Sequence, residues 1–548
     1  MLPIPTPEIV SGPLAPGARY TFSRDSIAWF SGYTLADLLG EIPGVYIARG
    51  GFLGQPEPIS YGGRGPTSIE ILWDGVPFLP IGPDSVAVDP GRISLFPLRR
   101  VDVEVLPGLL RVYLVSERHE LASTRSTVRI VSGDFETGGY AGLFQHRWRN
   151  GVGINLAADF LGTDGAREQL REASWLNIWG KAEWTPTPNT SATFQIRRDD
   201  YERDPTGAGT GAAVPARRGV RTDAIMRFAA ATRPDRSGAW VEAGFATTAW
   251  SPDSADADSG ATDRTFRRVF VGAGYRDRRA TLEARTELGD HYTPWRADAR
   301  VGWVPIGGIV LSAAGSVDRH RNDRTSLRGH AHVGLYGGPL FLAGEVAVQK
   351  AVAAPSLPDD TLQRATDLGA KAGFRTRWLR GHVGLVQRDG YAPVPFTGYP
   401  EIVVRPVVGT TRYLVSEAAL RVGAWTLSGW YSNPVSGPLA DFQPPTHGRV
   451  ALTFRSRFIR TFRSGVFDLK VQLAMESWSR GLAGTDATGT EIPLIGATFY
   501  EGFIQFQIAG FQAFYSLKNA YNSREQFVPG LEYPRNIQTF GVKWVFAN

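Results

Sequence analysis

Two hydrophobic periods divide the chain. Between Thr34 and Gly108 the apolar positions belong to short, separately punctuated elements. Leu35, Leu38, Leu39 and Ile42 share one face of a short helix, Thr34 with Asp37 supplies a capping-box-like start, and Pro43-Gly44 is expected to stop it. Two strands are predicted downstream. Ile69–Trp73 runs into the turn dipeptide Asp74-Gly75, and Val101, Val103 and Val105 alternate with Asp102 and Glu104.

From residue 137 onward, segments of about ten residues alternate in apolarity between turn-rich or polar stretches, the pattern of a transmembrane β-barrel. Leu327, Ala331, Val333 and Leu335 share one face, opposite Arg328, His330 and His332. Phe467, Leu469, Val471, Leu473 and Met475 oppose Asp468, Lys470 and Gln472; Val450, Leu452 and Phe454 oppose Arg449, Thr453 and Arg455; Ile504, Phe506 and Ile508 oppose Gln505 and Gln507. A soluble sandwich alternates too. The persistence of the pattern to the C-terminus, the long charged side chains on the polar faces and the aromatic ends of the apolar faces favour the barrel. Roughly 20 to 22 segments can be counted, and closure with both ends on one side needs an even number.

Link lengths predict orientation, because barrels of this kind place short turns in the periplasm and longer loops outside. Arg149-Asn150-Gly151 and Tyr336-Gly337-Gly338-Pro339 are short. The stretches 202–216, 251–263, 351–362, 391–409, 433–445, 478–492 and 520–533 are longer and polar. The last strand, Ile537 to Phe546, sets Phe540, Val542, Trp544 and Phe546 on one face.

Composition narrows the classes. The 548 residues show no second composition break after about residue 135, which favours one large unit behind the N-terminal insert. Zero cysteines remove disulfides, thiolate metal sites and a cysteine nucleophile, and fit an envelope protein. The net charge of +6 is spread without a basic run, so nucleic-acid binding has no support. No window holds the roughly 18 apolar residues of a spanning helix. The 63 glycines suit a large barrel. The opening residues lack a secretory signal, so an envelope location implies a processed or re-engineered start.

The insert resembles the plug domain of TonB-dependent outer-membrane receptors. Four motifs occur in the family's order: Pro43-Gly44-Val45 after a Leu-rich helix, Arg64-Gly65 before a strand, Asp74-Gly75-Val76-Pro77 at a turn, and Val103-Glu104-Val105 in a strand. The resemblance implies a flexible periplasmic segment (1–30), a small α+β plug (31–135) and an all-β, antiparallel transmembrane barrel of about 22 strands (136–548) in the bacterial outer membrane. It implies import of a large or scarce nutrient, of the ferric chelate, cobalamin or glycan class, driven by TonB. The tether's only TonB-contact candidate is Glu8-Ile9-Val10, and the ligand-contact candidates are Phe78, Leu79 and Pro80, within a stretch reaching Pro83. Outer-membrane lipid, TonB, the imported ligand and a surface lipoprotein are the implied partners. In the family, plug arginines commonly pair with barrel glutamates, and Arg64 matches one. The motif departs after Gly108: Pro107 stands where an arginine is usual, the glycine-rich turn is missing, and Thr127–Val131 is left to close the plug. The altered plug end, weak tether and modest loops support an alternative, an energy-uncoupled plugged barrel serving as scaffold or docking protein.

No catalytic residue, metal or cofactor is expected. Ser316, Asp318 and His320 share a strand face, but alternate residues lie about 6.6 Å apart along a strand, too far for a relay. His330 and His332 read as lumen-facing polar residues rather than metal ligands. Asp253, Asp256, Asp258 and Asp263 miss the spacing of a calcium loop, and Gly207, Gly209 and Gly211 lack the lysine and strand-to-helix setting of a phosphate loop.

Overall fold

The computed structural model describes residues 14–165, 172–205, 214–233, 237–253, 263–357, 362–459, 461–521 and 525–547. Its N-terminal part is a five-stranded sheet in the order β1-β6-β7-β4-β5, formed by β1 Arg19–Phe22, β4 Ile69–Trp73, β5 Val76–Pro77, β6 Leu98–Leu106 and β7 Leu109–Ser116. A separate hairpin pairs β2 Val45–Ile47 with β3 Ile59–Tyr61. Helix α1 spans Arg24–Ala28 and α2 spans Leu35–Leu39.

The local rules act as the residue types dictate. Thr34 and Asp37 form a reciprocal capping box, and Leu35, Leu38, Leu39 and Ile42 are fully buried against the sheet's Val101, Val103, Leu110 and Val112. The helix ends at Gly40, earlier than the expected stop at Pro43-Gly44, which instead shapes the turn into β2. Asp74 and Gly75 both take positive φ, 46° and 80°, the geometry of a two-residue hairpin turn whose twist matches its strands. The Asp74 carboxylate accepts the Ser116 N–H (3.0 Å) and hydroxyl (2.6 Å), tying β5 to the end of β7.

The rest of the chain closes into one barrel of 22 antiparallel strands, beginning with β8 Arg125–Gly133, which pairs with the last strand Ile537–Ala547. The barrel therefore starts before the expected boundary at 136, and Thr127–Val131 belongs to its wall rather than to the plug. The tether shortens as well: within the described part of 1–30, β1 pairs with β6 and α1 is capped by Ser23. Glu8, Ile9 and Val10 lie outside the described residues.

The alternation places polar residues in the lumen and apolar ones outside. Leu327, Val333, Leu335, Val450, Leu473, Ile504 and Ile508 are all exposed on the outer wall, while Gln505 is buried against the plug, donating to Ala28 O, and Asp468 is buried beside Arg455 of the wall. A surface so apolar is what lipid requires. Among the described residues no helix is long and apolar enough to cross a membrane; strands do the crossing. Exposed Trp148, Trp184, Trp303, Trp378, Trp425 and Trp544 gather at the strand ends nearest the short links, an aromatic girdle on the side where β8 begins and the last strand ends. The longer links lie on the opposite, outer side. Three of them fold inward: 389–410 brings Phe396, Tyr399 and Ile402 onto the plug's Tyr46, Ala48 and Phe52, and two small hairpins, Gly481–Thr485 with Glu491–Leu494 and Gln526–Val528 with Leu531–Glu532, complete this apolar cluster.

Candidate functional site

The plug is held by charge. Arg64 and Asp367 form a buried ion pair, with the Tyr391 ring 4.6 Å from the guanidinium carbon. Gly108, at φ +84° in the β6–β7 turn, lets this pair approach, because a Cβ there would lie 2.6 Å from Asp367 Oδ2 and 2.9 Å from Arg64 Nε. Arg64 keeps the polarity that the plug resemblance implies. Most other contacts reverse it: the plug supplies the acid and the barrel the base. Glu70 meets Arg296 at 2.5 Å, Asp84 meets Arg217 at 2.9 Å, Glu104 meets Arg300 at 2.6 Å, Glu41 meets Arg449 at 2.9 Å and Asp37 meets Lys518 at 3.3 Å. Burial alone would raise Glu104 and Glu70. The guanidinium of Arg300, helped by His330 and Arg111, outweighs it and brings Glu104 down to about 2. Glu70, between Arg111 and Arg296, is lowered in the same way.

The hairpin carrying Asp74-Gly75 is gripped by its backbone. Arg221 donates to Leu79 O (2.9 Å) and Arg268 to Pro77 O (2.9 Å), while Arg227 and Arg285 donate to Asp74 O and Gly75 O. Arg197 and Arg221 also stack over the Phe78 ring.

Beside this hairpin an outward cavity of about 220 Å³ opens between plug and wall. Phe78, Leu79 and Pro80 line it from the plug, with Ser85 to Val88; the facing wall contributes Arg296 and Asp318 near the outer ends of their strands and His291 and His320 from the adjoining outer links. It offers apolar and aromatic surface with several buried polar atoms that lack a hydrogen-bond partner, among them Glu287 Oε2, His291 Nδ1 and Thr67 Oγ1. His291 lies in the outer link 290–294; burial, reinforced by Arg268, lowers it to about 3, so it is neutral at physiological pH. The opposite side is shut by the inward-folded links, where Tyr399 Oη lies 2.7 Å from Ala48 O and 2.8 Å from Pro56 O.

The plug-motif residues Pro43, Gly44, Arg64, Gly65, Asp74, Gly75 and Glu104 thus occupy turns and wall contacts of one seated body. Ser316, Asp318 and His320 also line the cavity but form no relay: Asp318 binds Arg328 (2.5 Å), and the His320 nitrogens sit 2.7 Å from Ser326 Oγ and 2.9 Å from Thr293 Oγ1. His330 faces Glu104 at 3.8 Å, and among the described residues no group of three or more His, Cys, Asp or Glu is placed to hold a metal. Asp263 accepts the Ser251 hydroxyl at 2.5 Å; Asp256 and Asp258, like Gly207, Gly209 and Gly211, lie outside the described residues. The barrel arginines that grip the plug escaped the sequence reading. Their signal was present, since Arg217, Arg221 and Arg227 share one strand face, as do Arg296 and Arg300.

Plug, seat and closed barrel define a plugged transmembrane β-barrel of the outer membrane. Residues 14–108 match the family model described as the TonB-dependent receptor plug domain, and with the 22-stranded barrel behind it the chain belongs to the TonB-dependent receptor family. No curated protein matches it by sequence. Similar solved structures include the siderophore receptor PirA from Acinetobacter baumannii (TM-score 0.72, 10% identity, 96% of this chain and 98% of that one). A mutant of the ferric enterobactin receptor PfeA from Pseudomonas aeruginosa with enterobactin bound is similar at TM-score 0.72 and 12% identity, over 98% of this chain and 100% of that one. The copper transporter OprC is similar at 0.70 and 13%, over 98% of each chain. At these identities the likeness is one of fold.

Proposed function

We propose that the protein is an energised importer that takes its ligand from outside into the cavity beside Phe78, Leu79 and Pro80 and passes it inward when TonB displaces the plug. The observation that carries this reading is the outward cavity, built jointly from plug apex and barrel wall: a ligand seated there contacts the part that must move. Its mixture of aromatic and aliphatic surface with guanidinium groups suits an organic chelator bearing acidic groups, so a ferric chelate is the preferred cargo. The siderophore receptor, the ferric enterobactin receptor and the copper transporter among the similar structures support that choice. The volume is below that of typical ligand pockets, about 300 to 1,000 Å³, so the cavity receives the compact part of a ligand whose remainder lies in the outer mouth.

A pull-down with the periplasmic domain of TonB, using the chain with and without residues 1–15, tests the coupling. Capture that depends on those residues, and on Glu8-Ile9-Val10 within them, is expected. Capture by neither form would favour the alternative, an uncoupled plugged barrel acting as a scaffold or as the docking partner of a surface lipoprotein.

A further inference from the structure

Along one sector of the wall the plug is held by arginines. From the strand Thr190–Arg203 to the strand Trp295–Trp303, lumen-facing arginines outnumber lumen-facing carboxylates. Wall acids neutralise part of this charge: Asp223 pairs with Arg221 at 2.7 Å, Glu287 with Arg268 at 3.3 Å, and Glu242 with both Arg227 (3.3 Å) and Arg285 (3.5 Å). The plug supplies further acceptors. Four guanidiniums donate to carbonyl oxygens of residues 74–79, and Arg217, Arg296 and Arg300 take the carboxylates of Asp84, Glu70 and Glu104.

These arginines also descend through the wall. Arg217 opens its strand at the outer rim, Arg221 follows two pleat repeats inward, and Arg227 lies near the inner end of the same strand; Arg285 and Arg300 lie near the middle of theirs. Even with the plug in place, Arg268 Nε and two nitrogens of Arg285 are buried without a hydrogen-bond acceptor. Donors left partly unfilled in a low-dielectric lumen bind anionic oxygen strongly once it arrives.

We infer that this sector is a latent track for an anionic ligand, occupied at rest by the plug's own oxygen atoms. The hairpin at residues 74–79 and the acids Glu70, Asp84 and Glu104 sit where a ligand's carboxylate, phenolate or phosphate oxygens would sit in transit. Withdrawal of the hairpin therefore uncovers a cationic ladder leading inward from the cavity that receives the ligand. Rings and rows of arginine serve as anion selectors in other pores. This rests on the reading that the lumen is a passage, but it can be tested without inner-membrane energy.

The full chain is reconstituted in planar lipid bilayers, and the plug is displaced with urea at a concentration that leaves the barrel folded, as judged by its heat-modifiable gel mobility. Reversal potentials under a potassium chloride gradient give the permeability ratio, and citrate is added as an anionic blocker. The expected channel prefers chloride to potassium by roughly threefold or more and is blocked by citrate. The triple variant R227Q/R268Q/R285Q brings the ratio close to one and relieves the block, whereas R227K/R268K/R285K retains both. Removing the same charge from the other wall, in K470Q/K518Q/K543Q, changes the ratio much less. A wild-type channel that is unselective or prefers potassium overturns the inference, as does an equal loss of selectivity in the two glutamine variants. If selectivity stands while the chain shows no TonB coupling, active import fails and the track remains.

Discussion

Replacement of Asp367 by Asn tests the seat of the plug at its most buried charge pair. Both side chains are 4% exposed, and Arg64 Nη1 has no hydrogen-bond partner of its own, so losing the carboxylate strands a guanidinium beside Tyr391. Removing one partner of such a pair costs about 3 to 5 kcal/mol. Asn retains an acceptor for the Asp389 N–H, now 3.0 Å from Asp367 Oδ1, which places D367N at the lower end. A cost of about 3 kcal/mol raises the fraction of unseated plug roughly a hundredfold. Hydrogen exchange of the detergent-solubilised full chain, read in peptides covering β4, β6 and β7, measures that opening. R64A in the D367N background should add little, because the charge already lacks its partner. A coupling energy below about 1 kcal/mol, the value of an exposed pair, would refute the claim that this pair locks the plug.

Three further outcomes follow from the same geometry. Glu104 is lowered from 4.5 to about 2 in the seated plug, so its contribution is complete above about pH 4.5 and is lost as pH falls toward 2; the difference in plug stability between the chain and E104Q, taken from exchange corrected for the intrinsic pH dependence of amide exchange, should be constant from pH 7 to 5 and shrink below that, and a difference already shrinking between pH 7 and 5 would contradict it. Gly108→Ala forces a side chain into a positive-φ turn and into Asp367 Oδ2, costing about 1 to 3 kcal/mol; hydrogen exchange of β6 and β7 should quicken, and unchanged exchange would mean the turn relaxes freely. Tyr399→Phe removes the donor shared by Ala48 O and Pro56 O, a loss of about 1 to 3 kcal/mol; protease cleavage within 389–410 should accelerate while cleavage of the barrel's short turns stays unchanged.

What the sequence disclosed and what it hid have separate physical causes. Alternation at period two is imposed by lipid on one face and a polar lumen on the other, so the strand pattern and its even closure could be read from residues such as Leu327 and Arg328. The Thr34–Asp37 cap and the Asp74-Gly75 turn are local rules and were legible for the same reason. The plug boundary was not: Arg125–Gly133 alternates like any wall strand, and only its pairing with Ile537–Ala547, across almost the whole chain, assigns it to the barrel. Likewise β1 is an edge strand whose partner β6 lies far downstream. The cavity-lining stretch Phe78–Pro80 could be suggested from its place after the turn, but the reversed charge polarity depends on which wall arginine meets which plug acid. That information lies in barrel register and tilt, beyond any local motif.

Accumulation of iron-loaded chelates by cells in which this chain is the only outer-membrane receptor, compared with and without TonB, tests the central claim most directly. With ⁵⁵Fe supplied as citrate, catecholate and hydroxamate complexes, the account predicts that at least one enters only when both the chain and TonB are present, and that F78A or L79D lowers its entry. Accumulation no greater than in cells lacking the chain, or equal with and without TonB, would contradict it.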